Sequence, residues 1–368
     1  YTLSVFKKII EKNGLKLIDF SFNIINGGSI EIICAPKKSK IKPKFNKINK
    51  QLEIENSISS NDYNKFNLRV DNIKNTTNLL LENIKKESQE IGYTKEVVDT
   101  FFENVSLNPK VLEADRAQGI FLRPFNEFAP RLMSEYRLYH GKKNLEKYSS
   151  TFNEIENIFG VSRGVLTSFW ALETDFGAVQ GNFNTLDALV TLAFDCRRPF
   201  LFRPQIFGAL ELFSRKEFNP VTTKGAWAGE IGMVQMLPKD ILENGVDADG
   251  DGKVNLQSST RDALFSAAKM LKSLGWEANE PWLQEVTLTK ELDWFDTGTD
   301  KIKTVEEWVN LGIKGKYTDL PDASGNASLI IPQGRKGPKF LAYSNFHVFF
   351  EWNQSFIYVL TAAHFANR

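Results

Sequence analysis

The chain has 368 residues, 42% hydrophobic and 25% charged, with a formal net charge of +1. That length allows two or three domains with a sizeable core, and the near-neutral balance gives no global attraction to nucleic acid or to a membrane surface. No run of roughly 18 apolar residues occurs, so no transmembrane helix is expected. No signal pattern is visible at Tyr1, and a targeting segment is expected to lie outside this chain. Cys34 and Cys196 read as two separate buried thiols, without metal-ligand spacing. His140, His347 and His364 are isolated, which argues against zinc chemistry.

The sequence changes character near residue 90: the first 90 residues are rich in Asn, Ile and Lys, and every Trp lies at or after Trp170. In "VFKKIIEKNGL" (5–15), Val5, Ile9 and Ile10 have helical spacing and Asn13-Gly14 is a stop signal. "KLIDFSFNI" (16–24) alternates as a strand does, "NGG" (26–28) predicts a tight turn, and "SIEIICA" a second strand. The basic stretch "PKKSKIKPKFNKINK" (36–50) carries two prolines and no interleaved aromatic ladder, so it reads as a solvated connector rather than a nucleic-acid patch. Residues 60–88 predict one amphipathic helix, with Phe66, Val70, Ile73, Leu79, Leu80 and Ile84 on its apolar face. The helix, the "DFSFNIINGGSI" hairpin and the long helix together resemble the C-terminal part of sugar C-methyltransferases over residues 1–88. That family's donor-binding glycine-rich segment is not in this chain, so methyl transfer is not expected of it.

From about residue 95 the pattern is helical. "SSTFNEIENIFGV" pairs Phe152, Ile155 and Ile158, and "VSRGVLTSFWALETDFG" follows, with Ser162 as N-cap and Gly177 as C-cap. "LDALVTLAF" (186–194), "RPQIFGALELFSR" (203–215) and "STRDALFSAAKMLKSLGW" (259–276) are further striped helices. Residues 280–345 turn to short strand-like runs, "EVTLTK", "ASLIIP" and "KFLAY", before a last buried helix in "FFEWNQSFIYVLTAAHFA".

Two carboxylates, Glu173 and Asp175, interrupt the apolar run of "SFWALETDFG". Residues two apart on a helix point about 200° apart, so they cannot serve one substrate together. Glu173 adjoins the packed face of Phe169, Leu172 and Phe176. There it loses solvation and its pKa rises, which suits a proton donor near neutral pH. A helix-surface glutamate without chemistry fits the same spacing.

The segment "VLTSFWALETDFGAVQGNFNTLDALVTLAFDCRR" resembles the core of the membrane-bound lytic transglycosylase B family. The likeness continues through "GAWAGEIGMVQMLP", "VDADGDGKVNL", "DALFSAAKMLKSLGW" and the C-terminal "YSNFHVFFEWNQSFIYVLTAAHFANR". It implies cleavage of the MurNAc–GlcNAc bond of peptidoglycan without water. One glutamate first protonates the leaving oxygen and then, as base, takes the proton of the MurNAc C6 hydroxyl, giving a 1,6-anhydro end. By that resemblance Glu173 is the acid–base, and Asp175 a helix-end or surface residue. Gln235 would meet an N-acetyl group, Asn353 and Tyr358 would approach the cleavage site, and Arg197 and Arg198 would meet stem-peptide carboxylates. The chain departs from the family pattern at Glu230, Ile231, Met236, Lys239, Lys269 and Met270. These changes bear on catalytic efficiency and sugar positioning rather than on the fold.

"DADGDGKVNLQS" (247–258) matches the start of an EF-hand loop: Asp247, Asp249 and Asp251, then Gly252, a carbonyl from Lys253, and Asn255. Position twelve is Ser258, and Asp262 could supply a later carboxylate. Two readings stand, a structural Ca2+ site or a metal-free turn; catalysis itself needs no cofactor. The expected organisation is mainly α (α+β). A helix–hairpin piece and basic linker (1–50) and a connecting helix (51–90) precede a transglycosylase domain (91–368). That domain comprises a lysozyme-like core (about 95–280), a mixed segment (about 281–345) and a final helix (about 350–366). The resemblance implies a periplasmic bacterial enzyme acting on glycan strands, with a cell-wall synthesis or division complex as a candidate partner. The rivals are an inactive peptidoglycan-binding protein and a hydrolytic muramidase on the same core.

Overall fold

The structure, a computed structural model, describes residues 2–23, 29–57, 79–117, 124–321 and 325–368. They fall into two compact units, one of residues 1–103 with 192–203, the other of residues 104–191 and 204–368.

In the first unit, α1 (Leu3–Lys12) buries Leu3 and Ile10, seven residues apart on one stripe, and Gly14 ends it with a φ of +76°. Strands β1 (Leu15–Asn23) and β2 (Ser29–Pro36) pair antiparallel, with a bulge between Leu17 and Asp19. The NGG turn lies outside the described residues. Helix α2 (Phe45–Asn56) packs Ile48 onto Leu3, Ile10, Leu17 and Phe20. Its Glu55 accepts hydrogen bonds from the backbone N–H groups of Leu3 and Ser4, at 2.7 and 2.8 Å, capping α1 from outside.

The expected solvated connector is therefore partly a docked helix. Lys44 and Lys47 bond the Asp19 carboxylate at 2.6 and 2.8 Å and hold it well below the usual carboxylate range. Of the expected helix over 60–88, α3 (79–90) is described. Phe66, Val70 and Ile73 lie outside the described residues. On α3, Ile84 is buried and Leu79 exposed. Helix α4 (Lys95–Phe102) starts at a Thr94 cap and buries Val98, Phe101 and Phe102. Cys34 and Cys196 are free and exposed, not buried. Near the hairpin bulge Ala35 is the covered residue, and Cys196 sits in a turn.

The second unit is mainly helical. Helices α5 (Pro109–Arg116), α6 (Phe125–Leu132), α7 (Glu135–Lys147) and α8 (Ser149–Phe159) lead to α9 (Arg163–Thr174). Then come β3 (Phe183–Asn184), α10 (Thr185–Phe194), α11 (Pro199–Ser214), β4 (Lys224–Gly225), α12 (Pro238–Asn244) and α13 (Thr260–Ser273). The end of α10 and the start of α11 belong to the first unit.

A mixed segment follows: β5 (Leu283–Leu288), β6 (Ile302–Thr304), α14 (Val305–Asn310), β7 (Ile313–Gly315), β8 (Asn326–Ile330) and β9 (Lys339–Ala342). Its five strands form one antiparallel sheet in the order β6-β8-β9-β5-β7. Trp308 of α14 is buried against that sheet, and its indole N–H donates to the Ala327 carbonyl at 2.8 Å.

The chain closes with α15 (Ser344–Trp352) and α16 (Phe356–Ala366). The sequence pattern runs one helix through this region; the structure breaks it at Asn353–Ser355. Asn353 is extended, and its side-chain oxygen accepts from the Ser355 N–H at 2.9 Å, a turn bond that competes with helix continuation.

Candidate active site

Helix α9 is the axis of the site. Ser162 caps its start, accepting from the Gly164 N–H at 3.2 Å. Val165, Leu166, Phe169 and Trp170 are buried, and the Ser168 hydroxyl donates to the Ala362 carbonyl of α16 at 2.7 Å. The helix ends at Thr174, with Asp175 as the left-handed cap, rather than at Gly177. Asp175 and Phe176 both adopt positive φ. Short polar Asp tolerates that region, and Asp175 is also tied to Arg137 at 2.6 Å. Glu173 points elsewhere, as the helical spacing requires.

Two donors meet the Glu173 carboxyl on one oxygen. Tyr358 Oη donates to Oε1 at 2.5 Å, and the Trp352 indole N–H donates to the same atom at 3.0 Å. Tyr358 is buried in α16, and Trp352 closes α15 with its ring stacked on Phe169 at 4.5 Å. Burial pushes the Glu173 pKa up, and the two hydrogen bonds only partly offset it. Burial and the neighbouring carboxylate drive the Tyr358 phenol well above its ordinary value, so it keeps its proton.

Glu173 opens onto a cavity of about 270 Å³. Gln235, Asn353, Trp227, Trp352 and Met270 line it, as do the acids Glu230 and Asp240. Asp240 is itself raised by burial and by the nearby Glu243 charge. No Lys, Arg or His is among the lining residues described. Indoles, amides and carboxyls suit a hydroxyl- and amide-rich ligand better than an anion.

Gln235 has a φ of +53°, uncommon for a side chain of its size. Its amide nitrogen donates to the Gly232 and Gln180 carbonyls at 2.7 and 3.3 Å. The amide thus braces its loop, and its oxygen is the atom that can face a ligand N–H. Met236 and Ile231 exchange backbone bonds at 2.8 and 3.1 Å and are both buried, and Met236 also lines the cavity. Lys239 and Lys269 are not among the lining residues, whereas Glu230 and Met270 are.

Four residues named from sequence therefore meet: Glu173 and Tyr358 by direct bond, with Gln235 and Asn353 on the same cavity. Arg197 and Arg198 lie in the first unit, where Arg197 pairs with Asp195 at 3.4 Å and Arg198 lies over the Phe202 ring. Sequence reasoning missed Trp352, Trp227 and Asp240. Trp352 adjoins Asn353 in "EWNQ", but a Trp in an apolar run reads as core.

At the acidic loop, carboxylate oxygens of Asp247, Asp249 and Asp251 lie within 4.8 Å of one another. Asp247 also accepts from the N–H groups of Gly250, Asp251 and Gly252. Three convergent carboxylates fit a hard cation. Asp262 does not join them. It is fully buried, and its two oxygens accept from the N–H groups of Ala248, Asp249 and Asn255, bracing the loop from below. The Asn255 side chain binds Ser258 at 2.6 Å.

A transglycosylase SLT domain profile matches residues 76–367. The membrane-bound lytic murein transglycosylase B of Escherichia coli is 26% identical over 197 residues, 53% of this chain and 52% of that protein. The matched stretch thus spans about half the length of that relative. The crystal structure of Pseudomonas aeruginosa SltB3 in complex with NAG-anhNAM-pentapeptide superposes with a TM-score of 0.74 at 30% identity, covering 79% of this chain and 78% of that one. Escherichia coli Slt35 in complex with calcium shares the fold at a TM-score of 0.68 and 21% identity, over 78% of this chain and 91% of that one. The helical core is thus the lysozyme-like one expected, and the chain belongs to the transglycosylase SLT domain family.

Proposed function

We propose that the chain is a peptidoglycan lytic transglycosylase with Glu173 as its single acid–base. The observation that carries this reading is one carboxyl, held by Tyr358 and Trp352, facing a cavity lined by Gln235 and Asn353. The family and the SltB3 complex with a peptidoglycan fragment support the substrate class. In the first step the protonated carboxyl gives its proton to the glycosidic oxygen between MurNAc and GlcNAc, and the C1–O bond breaks with its electron pair on the leaving oxygen. In the second, the carboxylate takes the proton of the MurNAc C6 hydroxyl as that oxygen bonds C1. No water is consumed, so the end formed is 1,6-anhydroMurNAc. An elevated pKa matches the first step and a partly desolvated carboxylate the second.

The Gln235 oxygen would accept from an acetamido N–H, Asn353 would meet sugar hydroxyls, and Arg197 and Arg198 would meet peptide carboxylates. The acidic loop would hold a structural Ca2+ through Asp247, Asp249 and Asp251, with the Lys253 carbonyl and Asn255 as further ligands; Slt35 supports this, having been solved with calcium. The compartment that fits the substrate is the periplasm.

The test is digestion of purified cell wall by the wild type and by Glu173→Gln, with products weighed by mass spectrometry. Anhydro ends from the wild type, lost by about a thousandfold or more in the variant, are expected. Reducing ends would turn the reading to a hydrolase, and no release at all to a binding protein.

A further inference from the structure

Glu173 has two chemically equivalent oxygens, but the protein treats them differently. The hydrogen bonds described on the carboxyl, from Tyr358 Oη and Trp352 Nε1, both end on Oε1. An oxygen accepting two donors is the carbonyl oxygen of a protonated acid, because a third proton on it would collide with the other two. The geometry points to Trp352 as a positioning residue that, together with Tyr358, fixes the transferable proton of Glu173 on Oε2, the oxygen left to the cavity.

The two donors are built differently. The Tyr358 hydroxyl can rotate, so it can also turn its lone pair toward the acid. The Trp352 N–H cannot: it is donor only, in the plane of a rigid ring. That ring is held by the stack on Phe169, 4.5 Å between centroids and 25° between planes, and Phe169 is one turn before Glu173 on α9. The donor and the carboxyl it orients thus share one support. The fixed N–H makes Oε1 an obligate acceptor in both charge states. When the acid is spent, the returning proton from the C6 hydroxyl has one address, Oε2, and the carboxyl is reset without rotating.

This inference rests on the lytic reading above, and its test separates the two. Trp352→Phe keeps the ring on Phe169 and removes the N–H; Trp352→Tyr keeps a ring and returns a donor. Expected for Trp352→Phe is a kcat lower by about tenfold with KM within about twofold, and an alkaline limb moved to higher pH, since a donor to the charged form has gone. Trp352→Tyr should recover much of both. Unchanged kcat with an unmoved limb overturns the inference, and so does a change confined to KM. Wild-type enzyme inert on cell wall would overturn the lytic reading instead. Infrared difference spectra between wild type and Glu173→Gln across a pH titration need neither turnover nor a folded Trp352 variant. The protonated Glu173 carbonyl should absorb at the low frequency of a doubly hydrogen-bonded C=O, and a band typical of an unbonded carbonyl rejects the assignment.

Discussion

Glu173 and Asp175 are two residues apart, yet they live in different chemical settings. Asp175 is neutralised by Arg137, whereas Glu173 has neutral donors and a low-dielectric wall. The raised pKa of Glu173 has a definite sign. The folded state keeps a proton that the unfolded chain releases, so this group's contribution to stability falls as pH rises from the unfolded to the folded pKa. Activity that needs the acid form falls through the folded value. Tyr358→Phe removes a donor to the charged form and should push that value higher, moving the alkaline limb of kcat/KM upward while kcat drops about tenfold. A pH–rate profile of the variant checks it; a downward move would contradict the bond as drawn. Much of this was legible in the sequence. The spacing alone separated the two acids, and the family likeness named Gln235, Asn353 and Tyr358. Trp352 was not legible, because its role depends on an N–H direction that only the folded helices define.

At the scale of elements, the site is a meeting of three helices. α9 brings the acid, α15 ends in Trp352, and α16 brings Tyr358. The contact of α9 with α16 is close enough that Gly164 lies beside the Ala366 carbonyl, where an added Cβ would stand 2.5 Å from the oxygen. Gly164→Ala should cost about 1–3 kcal/mol of stability, read by urea denaturation, and lower kcat by shifting one helix against the other. Equal stability would mean that the helix ends yield freely. Helix positions were readable from their apolar stripes and Ser caps. The break at Asn353–Ser355 was not, since no Gly or Pro marks it and a side-chain bond of Asn353 makes it. The cap of α1 by Glu55 was hidden for a similar reason: its partner is 52 residues away.

At the scale of the molecule, the division into compact units does not follow the order of the chain: residues 192–203 belong to the first unit, while the stretches on either side of them in sequence belong to the second. Composition marked a change near residue 90 but could not reveal an excursion that tertiary contacts define. The acidic loop bears on global stability. Asp262 already holds its backbone, so the three outer aspartates carry charge that a cation can relieve. Millimolar Ca2+ should raise Tm by about 2–4 °C, and Asp247→Asn should remove the gain. Calorimetry with and without chelator measures it, and an identical Tm in both would count against a bound ion.

The acids around the cleft have a further consequence, for what kind of polymer can lie there. With Glu230 and Asp240 beside Glu173 and no Lys, Arg or His among the lining residues described, the wall offers an anion no cationic side chain to pair with. A phosphate-bearing polyanion threaded past the same aromatic rings would find no counter-charge among these residues, whereas an uncharged sugar backbone would need none.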